Sequence, residues 1–331
     1  MKVSVLGSGG WGIALAMAAN RNSHKTVLWS LFEEEISTLK EKRESEKLLK
    51  GVKIPEEILL TSDINDADDS DIVIIAVPSV AVRSIAKKIK EIKNVKIVVN
   101  VAKGLEDGSF KRLSQVILEE VDLPLVVLSG PSHAEEVARC VPTSLVAASN
   151  DINAAETVID VFSSESIRIY NNSDIVGVEL GGALKNVIAV AAGFCDGLGL
   201  GDNTKAALIT RGLTEMARLG VMLGARENTF AGLTGLGDLI VTCTSKHSRN
   251  HRFGEMVGKG TPIQTALKEV GTVEGYYATK LAYFLAQKVG AEMPIICECY
   301  NVLYNGADIK NSVKRLMLRP KRDEQETLWI M

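Results

Sequence analysis

The sequence predicts an α/β fold class: a doubly wound, mainly parallel β-sheet followed by an all-α C-terminal domain. Short runs of Val, Ile and Leu alternate with longer helical patterns over about the first 170 residues, and such alternation builds a parallel sheet covered by helices. After about residue 172, glycine and alanine become dense and the strand-like runs largely disappear. Because 331 residues exceed the usual size of one hydrophobic core, we expect two domains, a sheet domain over 1–172 and a helical domain over 173–331.

The first domain contains a series of predicted strands, and most of the segments between them have helical spacing, as at 11–21, 33–47 and 80–89. The run over 72–77 is apolar throughout, which is typical of a strand buried on both faces of the sheet. The predicted strands cover residues 2–6, 26–29, 71–77, 96–99, 125–128, 143–147 and 166–170.

The second domain is predicted to be helical. Several of its segments are apolar on nearly every face, so they belong in the middle of a helical bundle. The last eleven residues, 321–331, are charged and are expected to form a surface tail. The predicted helices cover 175–193, 205–223, 262–270, 276–288 and 294–304.

The composition is that of a soluble globular protein, with 46% hydrophobic and 24% charged residues and a net charge of -3. Because a basic surplus is missing, nucleic acid is not an expected partner. The N-terminal apolar run is too short for a signal sequence, and no apolar stretch approaches the eighteen or more residues of a membrane span. We therefore expect a cytoplasmic protein without a membrane partner.

The five cysteines are scattered and contain no CxxC pair, so we expect buried, reduced thiols. Cys297 and Cys299 are the only close pair. Without nearby histidines they offer too few ligands for zinc. No metal site is predicted.

A glycine loop, Gly7-Ser8-Gly9-Gly10-Trp11-Gly12, satisfies G-x-G-x-x-G between the first strand and a helix that begins near Trp11. In a Rossmann-like domain the first glycine makes the tight turn, the second lets the backbone approach a pyrophosphate, and the third lets the helix pack on the strand. The free amides at the helix start bind the pyrophosphate. The motif predicts NAD or NADP as the cofactor, and a glycine turn without a ligand is the alternative. We therefore expect 1–172 to be a dinucleotide-binding domain and 173–331 to be the substrate-binding domain.

The second strand leaves the choice between NAD and NADP open. It ends at Trp29-Ser30, where an acidic residue would bind the ribose hydroxyls of NAD and a nearby arginine would accommodate the 2'-phosphate of NADP. Neither stands there. Glu33 could reach back to the ribose, or it could be an ordinary charge at a helix start.

Two lysines are candidates for catalysis. Lys185 lies in a helix with hardly any polar face, where an unpaired ammonium is costly. It is therefore either a paired, functional group or a side chain that snorkels to the surface. Lys103 follows the strand at 96–99, at the carboxyl edge of the sheet where ligands bind, but a loop lysine is commonly only solvated.

Polar groups also follow the strand at 125–128. Gly130 and Ser132 could offer amides and a hydroxyl to a substrate. His133 could be an acid–base group, but a histidine near a helix start is more often a hydrogen-bonded turn residue.

Two polar segments lie in the second domain. Asp238 is predicted in a sharp glycine turn, where an aspartate is ordinarily a cap. Ser248, Arg249 and Asn250 come just before a helical stretch at 253–257. They form either a phosphate clamp, since arginine binds phosphate with two parallel hydrogen bonds, or a solvated basic loop.

Taken together, these segments resemble the NAD(P)-dependent glycerol-3-phosphate dehydrogenase family of the bacterial type over nearly the whole chain. The lysine helix, the glycine-aspartate turn and the Ser-Arg-Asn triplet, in this order, are the specific part of the resemblance. The matching stretches are 7–12, 102–106, 129–132, 178–186, 231–239, 248–250 and 273–275.

The resemblance implies hydride transfer between NAD(P)H and dihydroxyacetone phosphate to give sn-glycerol 3-phosphate for glycerophospholipid synthesis, with a homodimer as the family-level expectation. It also implies that Lys185 donates and accepts the proton, with Lys103 and Asp238 beside it. The implied substrate contacts are Lys103, Gly130, Ser132, Lys185, Asp238, Ser248, Arg249 and Asn250. The glycine loop and the family pattern together assign the cofactor to Gly7, Gly9, Gly10, Trp11, Gly12, Lys103, Ala134, Arg249 and Glu274.

Leu31 departs from the family pattern, in which His or Arg often stands near the adenosine 2'-phosphate, and this puts a preference for NADP in doubt. Two alternative functions are left by the sequence. One is a dehydrogenase of the wider β-hydroxyacid and 6-phosphogluconate group, which would act on a carboxylated substrate. The other is a cofactor-sensing protein that has the fold without the chemistry.

Overall fold

The computed structural model describes residues 1–321, 323 and 324. The chain divides into two compact units, one over Met1–Ile175 and one that begins at Val176. The surface tail predicted over 321–331 falls outside the described residues except at 321, 323 and 324.

An eight-stranded sheet forms the first unit, in the order β3-β2-β1-β4-β5-β6-β7-β8. Strands β1 to β6 run parallel to one another, whereas β7 pairs antiparallel with β6 and parallel with β8. The predicted doubly wound, mainly parallel sheet is therefore confirmed. The strands are β1 Lys2–Leu6, β2 Lys25–Trp29, β3 Leu59–Thr61, β4 Ile72–Ile75, β5 Ile97–Asn100, β6 Leu125–Ser129, β7 Thr143–Ala148 and β8 Ile167–Asn172; the helices are α1 Gly10–Arg21, α2 Glu33–Lys42, α3 Val82–Ile89, α4 Leu113–Leu118, α5 Ala134–Ala138 and α6 Ile152–Phe162.

Both faces of the sheet are buried, as the continuous apolar run in β4 predicts. Ile72 and Ile74 pack into a core with helices α1, α5 and α6, while Val73 and Ile75 pack into a second core with α3 and α4. The chain leaves β1 towards β2 on one side and returns to β4 on the other. The carboxyl end of β1 is therefore the point where the strand order reverses, which is where ligands bind in such sheets.

Two details of the first unit differ from the prediction. The helix predicted over 33–47 ends at Lys42, because Arg43 adopts a left-handed conformation with φ of 47°. The three-residue strand β3 was not predicted. It is too short to show an alternating pattern, and its place at the sheet edge comes from pairing with β2.

The second unit is helical in its described part, as predicted. Its helices are α7 Ile175–Leu198, α8 Gly201–Met222, α9 Glu227–Phe230, α10 Asp238–Thr244, α11 Arg249–Gly258, α12 Ile263–Val270, α13 Glu274–Val289, α14 Pro294–Asn305 and α15 Ile309–Met317. A single π-helical turn, Leu233–Gly237, leads directly into α10.

Helix α7 is the buried centre of this unit, and every residue from Gly177 to Cys195 in it is buried. It has 24 residues, and an 18-residue window within it has a mean hydropathy of 1.6. By length and composition the helix could cross a membrane, so the expectation that no stretch approaches that length is wrong. In the structure, 89% of its most apolar window is buried inside the protein. This is the environment of a core helix.

Glycines bring α7 and α11 into close contact. A methyl group on Gly193 would overlap the carbonyl oxygen of His251, and one on Gly254 would overlap that of Val190. Only residues without a side chain allow two helix backbones to approach this closely. The contact fixes the start of α11 against the middle of α7.

The predicted burial of the cysteines is confirmed for three of the five, Cys195, Cys243 and Cys299. All five are free, but Cys140 is exposed and Cys297 is partly exposed. Cys140 follows the short helix α5 and has a φ of 58°, so it lies in a surface turn.

Glu215 is a buried carboxyl group in α8. Its two oxygens accept hydrogen bonds from the backbone amides of Ile295 (2.8 Å) and Ile296 (3.2 Å), which are the donors that a helix start leaves unpaired. Burial nevertheless raises the pKa of Glu215 to about 7, against the opposing effect of these amides and of Arg218. The folded chain therefore binds a proton here more tightly than the unfolded chain does.

We expect this carboxyl group to make stability depend on pH. Because its folded pKa lies above its unfolded value of 4.5, the free energy of unfolding falls as the pH rises from about 4.5 to about 7, by up to about 3 kcal/mol. In Glu215→Gln the decrease in the free energy of unfolding should be smaller. Urea unfolding at pH 5 and at pH 8 measures this decrease. Glu269→Gln, at an exposed site on α12, is the control. An undiminished fall in Glu215→Gln would contradict the prediction.

Candidate active site

The glycine loop lies at the carboxyl end of β1, as predicted. A methyl group on Gly7 would overlap the carbonyl oxygen of Ala76, and one on Gly12 would overlap that of Gly7. These two glycines are therefore required for the turn and for packing of α1. Gly9 is different, since nothing lies within 4 Å of where its methyl group would be.

The open space at Gly9 faces the start of a helix. Gly9 is the N-cap of α1, and no side chain caps this helix. Its first amides are therefore donors available to an anion. Small residues at the loop, an open approach and free amide donors fit the pyrophosphate of a dinucleotide. Ala134, at the start of α5, lies 3.5 Å from the Cβ position of Gly10, so it borders the same loop.

The two glycines give a matched pair of variants. Gly12→Ala should lower the free energy of unfolding by about 1 to 3 kcal/mol, because the added methyl group overpacks the loop. Gly9→Ala should leave stability unchanged and weaken NADH binding about tenfold or more, or about 1.4 kcal/mol, because the methyl group occupies the approach to the pyrophosphate. Thermal unfolding and NADH titration measure the two effects. Equal losses of stability in both variants would contradict the assignment.

An acidic side chain reaches the end of β2 from an unexpected position. Glu33, which sequence reasoning considered, is exposed at the first position of α2. Glu35 lies one half-turn further along, and its Oε2 accepts hydrogen bonds from the hydroxyls of Ser8 and Ser30, each at 2.6 Å. The carboxylate thus joins the glycine loop to the end of the second strand.

Lys103, Gly130 and Ser132 come together at the carboxyl ends of β5 and β6. The carbonyl oxygen of Gly130 accepts hydrogen bonds from Lys103 Nζ and from Ser132 Oγ, each at 3.0 Å. Gly130 has a φ of 131°, a conformation that only glycine adopts readily. The first unit therefore carries an ammonium group and a hydroxyl at the edge of the sheet where ligands bind.

Lys185 is buried in α7, with 6% of its surface exposed. Its ammonium group forms an ion pair with Asp238 Oδ1 and donates a hydrogen bond to Thr242 Oγ1 at 2.7 Å. The snorkelling alternative is therefore excluded. Thr242 lies one turn after Asp238 in α10 and donates its own hydroxyl to the Asp238 carbonyl oxygen at 2.5 Å, so both acceptors of the lysine are held on one helix.

The prediction that Asp238 lies in a glycine turn is wrong. Asp238 begins α10, directly after the π-helical turn. A methyl group on Gly181 of α7 would lie only 2.7 Å from the carbonyl oxygen of Thr234 in that turn. The glycines thus bring α7 close enough for Lys185, one turn after Gly181, to reach Asp238.

The residue after Lys185 binds the Ser-Arg-Asn triplet. The side-chain Nδ2 of Asn250 donates a hydrogen bond to Asn186 Oδ1 at 2.8 Å, and Asn250 Oδ1 accepts one from the backbone amide of Gly275 at 2.9 Å. These buried hydrogen bonds tie α7, α11 and α13 together. Adjacent residues on α7 therefore hold the Lys185–Asp238 ion pair and the start of α11.

The rest of the triplet lies at the start of α11. Ser248 is the N-cap, and its hydroxyl accepts a hydrogen bond from the His251 amide at 3.2 Å. Arg249 is the first residue of the helix, not part of a basic loop, and is exposed. Among the residues that the structure describes, none forms an ion pair with Arg249. Glu274 begins α13, next to Gly275.

An apolar cavity of about 430 Å³ also lies in the second unit, between α7, α8, α14 and α15. Glu215 and Arg211 are among its lining residues, but Lys185 and Asp238 are not. The cavity is therefore separate from the Lys185–Asp238 ion pair.

Comparisons with known proteins identify the family of the chain. Residues 2–155 match the model of the NAD-dependent glycerol-3-phosphate dehydrogenase N-terminus, and residues 174–314 match that of the C-terminus. The chain belongs to this family. The glycerol-3-phosphate dehydrogenase [NAD(P)+] of Thermoanaerobacter sp. (strain X514) is 53% identical over 98% of the chain and 99% of the relative.

Solved structures of glycerol-3-phosphate dehydrogenases have the same fold. That from Coxiella burnetii superposes with a TM-score of 0.92 at 36% identity, covering 96% of this chain and 99% of the other. That from Plasmodium falciparum has a TM-score of 0.87 at 26% identity, covering 98% and 97%. Membership of the dehydrogenase family rests on the full length of the chain, not on the glycine loop alone.

Sequence reasoning missed three polar residues of this family member: Glu35, Asn186 and Thr242. Asn186 carried a signal, because a second polar residue beside Lys185 in an apolar helix needs a buried partner. Thr242 could have been found only by recognising that a helix begins at Asp238, since it lies four residues later. Glu35 stands in a run of three glutamates of which only Glu33 was considered for the cofactor, and Glu35 alone of the three is half-buried.

Proposed function

We propose that this glycerol-3-phosphate dehydrogenase reduces dihydroxyacetone phosphate to sn-glycerol 3-phosphate, reversibly, with Lys185 as the proton donor. The observation that carries the assignment is the buried ion pair of Lys185 and Asp238 in a chain of this family. A buried ammonium group that is also tied to Thr242 is held in one place, as an acid–base group must be.

The proposed reaction needs one hydride and one proton. The reduced nicotinamide, when bound, supplies the hydride to the ketone carbon. Lys185 supplies the proton to the ketone oxygen, and its positive charge stabilises the negative charge that develops there. In the oxidation of glycerol 3-phosphate, the neutral amine of Lys185 takes the hydroxyl proton back.

Asp238 and Thr242 orient the ammonium group through the contacts described above. The carboxylate also compensates the buried positive charge, which would otherwise be strongly unfavourable. Lys103 carries a second ammonium group, which we propose contacts the substrate together with Gly130 and Ser132.

Arg249 is proposed to bind the phosphate group of the substrate. Its guanidinium is exposed at the start of a helix, where amide donors and two parallel N–H groups suit an anion. Ser248 and Asn250 hold this helix start in place through their hydrogen bonds, and in the proposal they also border the phosphate. Binding energy at the phosphate then fixes the orientation of the reacting carbonyl.

Domain roles and assembly complete the proposal. The sheet unit binds the dinucleotide through Gly7, Gly9, Gly10, Trp11, Gly12 and Ala134, and the helical unit supplies Lys185, Asp238, Arg249 and Glu274. The product is the backbone of glycerophospholipids, so the enzyme supplies their synthesis. The proposal extends to a cytoplasmic homodimer, an expectation that comes from the sequence and the family resemblance.

Initial rates test the reaction. We expect oxidation of NADH or NADPH with dihydroxyacetone phosphate as acceptor, and no cofactor reduction with 3-hydroxy acids. The opposite pattern would indicate a dehydrogenase of the β-hydroxyacid group. Binding of a dinucleotide without turnover of either substrate would instead favour a cofactor-sensing protein.

A further inference from the structure

The carboxylate of Glu35 is held at the end of the second strand by two buried hydroxyl groups. Ser8 belongs to the glycine loop and Ser30 directly follows β2, and both are nearly inaccessible to solvent. Both donate to Oε2 of Glu35. Among the described residues, none donates a hydrogen bond to its other oxygen, Oε1, which is left available as an acceptor.

This position is the one that distinguishes the two nicotinamide cofactors in doubly wound folds. The adenosine ribose lies beyond the carboxyl end of the second strand, beside the glycine loop. A carboxylate there accepts hydrogen bonds from the ribose hydroxyls of NAD, whereas NADP places a phosphate dianion on the 2'-oxygen. Glu35 contacts both the loop and the residue after the strand, so it lies where that choice is made.

The residues that follow Ser30 do not offset the negative charge of the Glu35 carboxylate. Leu31 and Phe32 are apolar and largely exposed, at 56% and 66%. Neither can donate to a 2'-phosphate, and the arginine that commonly accommodates this phosphate is missing from both positions. A phosphate dianion would therefore face the Glu35 carboxylate without a cation from this segment.

We propose that Glu35 makes this enzyme selective for NAD over NADP. The inference rests on the proposed function, because it assigns a specificity to that dinucleotide site. Like charges brought together in a binding site weaken the wrong complex strongly, and the two serine hydroxyls keep the carboxylate from turning away.

Equilibrium titration without substrate tests the proposal, with NADH and NADPH as the probes. We expect wild-type protein to bind NADH at least about tenfold more tightly than NADPH. In Glu35→Gln the ratio of the two Kd values should fall by about tenfold or more, mainly through tighter binding of NADPH. Glu34→Gln is the matched control, because it removes the same charge from the neighbouring exposed residue, and it should leave the ratio unchanged.

A measurement on the wild-type protein avoids any effect of substitution on folding. Salt screens repulsion between charges, so the preference for NADH should decrease when the ionic strength is raised from about 0.05 M to about 0.5 M. Retention of the full preference at high salt would count against a charge-based selection.

Three outcomes of the titration would overturn the proposal. These are a Kd ratio near one in the wild type, equal changes in both Kd values in Glu35→Gln, and an effect of Glu34→Gln as large as that of Glu35→Gln. Equal changes would mean that Glu35 only supports the loop. The proposed function would fail separately, since a chain that binds neither cofactor, or that binds them without reducing dihydroxyacetone phosphate, contradicts the reaction itself.

Discussion

Lys185→Met should lower kcat for dihydroxyacetone phosphate reduction by about a hundredfold or more, the usual scale for loss of an acid–base group. NADH binding should be retained, because no residue of the glycine loop is changed. Steady-state kinetics together with NADH titration give both quantities. Near-normal kcat in the folded variant would refute the role of Lys185.

This substitution also leaves the Asp238 carboxylate buried without its cation, which destabilises the protein. The double variant Lys185→Met with Asp238→Asn removes both charges and should recover stability without recovering turnover. Lys205→Met is a matched control in the same unit, since Lys205 forms a comparable ion pair with Asp196 at 2.7 Å. It should keep kcat close to the wild-type value.

Arg249→Ala should raise the KM for dihydroxyacetone phosphate by roughly thirtyfold, or about 2 kcal/mol. The loss comes from two charge-assisted hydrogen bonds that become shielded from water when the phosphate group covers the arginine. The KM for NADH should change less, because the proposed binding of the dinucleotide depends mainly on the glycine loop of the sheet unit.

Arg252→Ala provides the control for Arg249. Arg252 is exposed on the same helix, three residues further along, so its removal changes the net charge equally without touching the helix start. An unchanged KM for the phosphorylated ketone in Arg249→Ala, or an equal rise in both variants, would show that no specific clamp exists.

Most of the fold could be predicted from sequence because its signals are local. The continuous apolar strands, the glycine loop and the apolar helices each have a period or a composition that one segment shows by itself. The three-residue strand β3 and the start of α10 at Asp238 could not be predicted, because they depend on pairing with β2 and on the preceding π-helical turn.

The charged residues of the candidate site could be named from the sequence, whereas the polar side chains that bind them could not. Lys185 was identified because an unpaired ammonium group in an apolar helix is energetically costly. Its link to Thr242, and the link of Asn186 to Asn250, join residues more than fifty positions apart. Such pairings follow from the packing of helices, and no spacing in the sequence encodes them.

The close glycine contact between α7 and α11 limits how this enzyme can diversify. Neither helix can slide or rotate against the other without backbone atoms colliding. The distance from the proposed proton donor, Lys185, to the proposed phosphate anchor, Arg249, is therefore set by the packing of these two helices. Activity on substrates with a longer or shorter carbon chain would therefore require new side chains at the start of α11. Substitution of the glycines in directed evolution should instead yield unfolded proteins.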